Sequence, residues 1–249
     1  MIYAALTFWL LVIVLTAWGV HQLWAGMVRA KVLNTVLLPG TLAAQVGHVL
    51  GLLVTGATIT NTTLYKDDDS GAPEQTHNPQ PKIPVVGPVI IGLLPLLACA
   101  MAIYASALFL GDSIIQGMTA HVVGPSLPTS MGGVWDLLRG QVTLVESIVT
   151  SITAADLGSW KTWVFLYLLV CLAVRIAPFP GNLRGALGAI LVLGIVGALL
   201  SSLTNVADTR VQNAWAILNL TAATLLLLLM ASLLIRGGVG LARILRDEG

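Results

Sequence analysis

The sequence predicts an all-α polytopic membrane protein, and three observations carry that prediction. Of the 249 residues 57% are hydrophobic and only 9% charged, whereas a soluble domain carries roughly a quarter charged residues. The mean hydropathy is +0.91. Apolar runs near the ~20 residues that a spanning helix needs recur along the chain, with polar stretches between them. A single transmembrane domain over 1–249 follows, with about six spans and the lipid bilayer as its first partner.

The first span covers 2–28 and stops at Arg29 and Lys31. No basic residue precedes it and it is longer than the apolar part of a signal peptide, so it reads as a retained helix. The second, 36–57, is interrupted by Gln45, Gly47, His48 and Gly51. The third, 85–110, holds Pro88 and Pro95. The fourth and fifth cover 160–177 and 184–203, and the sixth, 214–235, contains the leucine run 225–229.

Between them, the loop 58–83 starts with β-branched residues that suit a short β-hairpin and ends in Pro73, Pro79, Pro81 and nearby turns. Its acidic run Asp67, Asp68, Asp69 lacks the alternating ligands of a calcium loop. The stretch 134–153 has apolar residues at helical spacing, and its charges are Asp136, Arg139 and Glu146. It reads as an amphipathic interfacial helix.

A net charge of +1 argues against nucleic acid as a partner, since phosphate binding needs clustered cations. Cys99 and Cys171 both sit in apolar runs and read as small packed hydrophobes. With six spans, Lys66, Lys82, Arg175, Arg184, Arg236, Arg243 and Arg246 fall on the side of both termini; Arg29, Lys31, Arg139, Lys161 and Arg210 fall opposite. Seven against five favours cytoplasmic termini by a narrow margin.

Strongly polar groups inside spans are the functional candidates, because they are costly there. Gln45 and His48 lie three apart and share a helix face. Gly40, Ala44, Gly47 and Gly51 lie close to that face and leave it bare, as a close helix–helix approach requires. The simplest reading is that Gln45 and His48 hydrogen-bond a neighbouring helix; a metal or proton role for His48 is the sharper alternative. His21 and Gln22 lie beside Trp18 and Trp24, as interfacial residues do. His77 and His121 fall in loops without ligand spacing.

The stretch 38–56, LPGTLAAQVGHVLGLLVTG, resembles the P-G-x-x-x-H-E-x-x-H stretch of bacterial site-2-protease-like intramembrane zinc metallopeptidases. The patch 87–95, GPVIIGLLP, resembles the proline-bearing span that follows in polytopic relatives, and 177–186, APFPGNLRGA, a turn whose Asp would be the third metal ligand. Together these patches cover 38 of the 249 residues. In H-E-x-x-H the histidines bind zinc and the glutamate activates its water. Here Ala44 takes the first histidine position, Gln45 the glutamate position and Asn182 the third-ligand position; only His48 matches. Catalytic zinc takes three protein ligands and a water.

The resemblance therefore implies a fold kept and a chemistry lost. What it implies is a non-catalytic metallopeptidase-like protein of the bacterial cytoplasmic membrane, without zinc or other cofactor. Such a protein acts by binding, as a scaffold or accessory subunit for partner membrane proteins or as a homo-oligomer, with 58–83 and 134–152 as docking surfaces. Two alternatives stand beside it. An active zinc protease would use His48 with atypical ligands such as His21 or Asp112. A small transporter or channel would exploit broken helices around Pro88 and Pro95.

Overall fold

The computed structural model describes residues 2–59, 62–63, 72–73, 81–84, 86–111, 114, 130–177, 183–201 and 206–247. Among them the chain forms eight helices: α1 (Ile2–Ala25), α2 (Ala30–Val36), α3 (Leu38–Thr55), α4 (Val86–Leu110), α5 (Met131–Ala154), α6 (Trp160–Arg175), α7 (Leu183–Ser201) and α8 (Val206–Asp247). Each of the six apolar stretches is helical, and α1, α3, α4 and α8 are long and apolar enough to cross a membrane. The amphipathic stretch forms α5, opened by Ser130, whose Oγ accepts from the Gly133 N–H at 3.1 Å as an N-cap does. Most of 58–83, where the sequence suits a short β-hairpin, lies outside the described residues. Among the described residues of that loop, Thr63 pairs in an isolated bridge.

Helix ends follow local chemistry. Pro39 sits in the first turn of α3, where its missing N–H costs nothing, and Gly56 closes the helix at φ 67°, in the left-handed region glycine tolerates. Pro95 lies inside α4 and removes the helical bond to the Ile91 carbonyl.

α4 serves as a ruler for the bundle. α3 runs antiparallel to it: a Cβ on Gly87 would approach Thr55, Gly51 faces Ile91, and Gly47 faces Leu94, Pro95 and Ala98. α6 also runs antiparallel to α4, from Gly111 beside Phe165 to Cys99, whose Sγ lies 3.8 Å from the Arg175 carbonyl. α7 then begins lower on the same helix, where Gly92 meets Gly185 and Ala189. It continues past Thr7 at Gly194 and Tyr3 at Gly197, toward the start of α1. α8 returns in the opposite sense and reaches the far end of α1, where Trp24 meets Ser232 and Gly26 meets Arg236.

The start of α7 therefore lies beyond the end of α6 along α4, and α7 runs on toward the start of α1. At 1.5 Å per residue, the 16 residues of α6 extend about 24 Å, and neither helix is among those long and apolar enough to cross. The main core joins α1, α4, α6 and α8 around Phe165, Ile13, Ile103, Leu169 and Leu225.

Candidate functional site

The nine buried residues of α3 are Gly40, Thr41, Ala44, Gln45, Gly47, His48, Gly51, Leu52 and Thr55. At 100° per residue they cover an arc of about 160°, with His48 and Thr55 near its centre. Opposite lie the exposed Leu42, Val46, Leu50, Leu53 and Val54. The bare positions are occupied from within the chain. A Cβ on Gly40 would overlap the Cys171 carbonyl of α6; on Gly47 it would fall 2.5 Å from the Leu94 carbonyl; on Gly51 it would fall 3.0 Å from the Ile91 Cα. Glycine is required because backbone, which cannot move aside, fills the space. Gly47 and Gly51 thus press α3 onto α4 around Pro95, where the helix lacks one bond.

Gln45 uses its amide outside the bundle core: Nε2 donates to the Thr63 carbonyl at 3.3 Å. That bond brings the segment after α3 back along the helix it has just left. His48 is 1% exposed, and among the described residues neither ring nitrogen has a hydrogen-bond partner. An unpaired buried polar atom costs about 1–3 kcal/mol. Asn182 lies outside the described residues, as do Asp112, His77 and His121. Among the described residues no three His, Cys, Asp or Glu side chains gather as a metal site.

Arg175, counted among the charges on the side of the termini, lies within the apolar run 160–177; it is 5% exposed, and its carbonyl lies beside Cys99, near the middle of α4. Its Nη2 donates to Asn34 Oδ1 of α2 at 2.7 Å. Just before it, Tyr167 OH donates to the Val36 carbonyl at 2.8 Å and Cys171 Sγ sits 3.3 Å from the same oxygen. The end of α6 is thereby knitted to the α2–α3 corner. Both cysteines are free and buried. The signal in the sequence was position: Arg175 falls inside the apolar run 160–177, where a cation is costly.

His48 adjoins Gly47, whose partner Pro95 lies between Cys99, where α6 ends, and Gly92, where α7 begins. The interruption between α6 and α7 is thus level with His48. Chemically, the region offers one imidazole, two amides, a guanidinium and two thiols, without a carboxylate among the described buried groups.

No protein-family model, no curated protein and no solved structure matches this chain.

Proposed function

We propose that this chain is a non-catalytic, metallopeptidase-like integral membrane protein that serves as a scaffold or accessory subunit for other membrane proteins. The observation that carries the reading is the use of Ala44 and Gln45. Where the peptidase motif needs an imidazole and a general base, the chain has a methyl and an amide, and the amide is tied to the Thr63 carbonyl. The residues of the motif hold backbone together instead of activating water.

The glycine face is already filled by α4 and α6, so a partner meets the chain elsewhere. α5 supports this. One stripe, with Leu144 and Ile148, is buried and packs on α8. A second stripe of Val134, Trp135, Leu138, Val142 and Val149 is exposed, and an exposed apolar patch marks contact with a protein or a membrane. A photo-crosslinking amino acid at Val142 should give a discrete protein adduct in native membranes. Adducts to lipid alone would overturn the scaffold reading.

In the bilayer, the directions of the helices support five crossings in place of six: α1, α3, α4, α6 followed by α7, and α8. The fourth is an interrupted crossing, with Arg175 at its break. Charge supports the same count. Arg29, Lys31, Arg139, Lys161, Arg236, Arg243 and Arg246 then share one side, against Lys66, Lys82 and Arg210 on the other. Seven against three replaces seven against five, and puts the end of α8 in the cytoplasm and the start of α1 across the membrane. Thiol labelling of single cysteines at Ser130 and Asp208 in a Cys99→Ala, Cys171→Ala background tests the count. Position 130 should label from the cytoplasm and position 208 from outside; labelling of both from one side would contradict it.

The interrupted crossing also favours a second reading, a small transporter, since broken helices and buried intramembrane cations line substrate paths. Solute flux in proteoliposomes that is lost on Arg175→Gln would select it over the scaffold.

A further inference from the structure

We infer that the groove between the end of α1 and the overhanging half of α8 is a binding site for one anionic phospholipid of the cytoplasmic leaflet. The occupant's side of the membrane rests on the five-crossing reading; the groove itself does not. α1 ends at Ala25, whereas α8 runs 42 residues to Asp247, about 63 Å at 1.5 Å per residue. Beyond Trp24, α8 has no α1 turn beside it, and a cavity of about 760 Å³ opens there. Its walls are apolar: Met27 and Val28 on one side, Leu228, Ile235 and Val239 on the other. Ile235, Val239, Met27 and Val28 are all exposed.

The floor is fixed. Trp24 Nε1 donates to Ser232 Oγ at 2.7 Å, and Ser232 Oγ donates to the Leu228 carbonyl at 2.6 Å. Neither group is left to bind a headgroup. Arg236 is the charged member of the lining, one turn beyond Ser232 and therefore on the same face. Its guanidinium faces Gly26, just past the end of α1: a Cβ there would lie 3.8 Å from Nη1. An apolar groove carrying one guanidinium, level with the end of α1, suits an acyl chain beside an anionic headgroup.

Charge selects the occupant: among the described residues the lining carries one guanidinium and no carboxylate, which suits an anionic headgroup. The volume falls within the 300–1,000 Å³ typical of small-molecule sites. Electrostatics agrees, because the cytoplasmic leaflet carries the anionic lipids and basic residues at its surface draw them.

Native mass spectrometry of the full chain in detergent, titrated with phosphatidylglycerol or phosphatidylcholine, tests the site. The wild type should retain one phosphatidylglycerol with a preference of roughly fivefold over phosphatidylcholine, the scale of one basic residue. Arg236→Gln should bring that preference close to one. Val239→Trp, which fills an exposed wall, should remove retention of both lipids while the Tm without added lipid stays within a few degrees. Excess inorganic phosphate should not displace the lipid. An unchanged preference in Arg236→Gln, retention in a folded Val239→Trp, or displacement by phosphate would each overturn the assignment. If the labelling experiment contradicts five crossings but these lipid results hold, the site stands and only its leaflet changes.

Discussion

The α3–α4 seam and the α1–α8 seam solve the same problem, holding two apolar helices together in lipid, by opposite means. In the first, Gly47 and Gly51 bring backbone onto backbone beside Pro95, and a single added methyl has no room. In the second, large side chains meet through one Trp24–Ser232 hydrogen bond, and the helices separate into an open groove. Lipid tails are as apolar as leucine, so apolarity alone does not pair helices; close packing and interhelical hydrogen bonds do. The first seam relies on backbone contact and the second on side-chain packing with the Trp24–Ser232 bond near its end, and their responses to substitution should differ accordingly.

The largest effect is expected at the tight seam. Gly47→Leu should cost at least about 3 kcal/mol, the upper end of overpacking, and leave little folded protein by size-exclusion chromatography. Gly188→Leu on α7, where a Cβ meets nothing within 4 Å, should leave the elution profile unchanged. A well-folded Gly47→Leu would mean that the two backbones separate more easily than the geometry allows.

His48→Leu sits next in size and has the opposite sign. The substitution removes two buried nitrogens that have no partner among the described residues, so thermal stability in detergent should hold or rise by about 1 kcal/mol. A loss of 2 kcal/mol or more would show that the imidazole is paired in the membrane-embedded protein. The smallest effect belongs to the open seam: Trp24→Phe should cost about 0.6 kcal/mol, the average worth of an interhelical hydrogen bond in a membrane, read as a slight fall in Tm.

The sequence carried the helical, membrane-embedded character plainly, because each apolar stretch was long enough to leave a period and a boundary. It carried α5 as well, since Leu144 and Ile148 recur at helical spacing. What it did not carry was direction. Arg175 and Arg184 mark a boundary between apolar runs whether the chain turns back there or continues; the contacts of Cys99 and Gly92, which put the start of α7 further along α4 than the end of α6, favour continuation. The glycines of α3 were legible as a close-approach face, but the occupant of that face was not, because Gly40 and Gly47 give spacing and not identity. Gln45 was likewise legible as a buried amide, while its bond to Thr63 depends on where an irregular segment returns.

The account turns on whether the α3 arc is a packing device or a metal centre. Zinc analysis of the purified full chain, beside His48→Ala, measures this most directly. Zinc well below one ion per chain, and unchanged in His48→Ala, is the expected result. One zinc per chain in the wild type, lost in a folded His48→Ala, would contradict it.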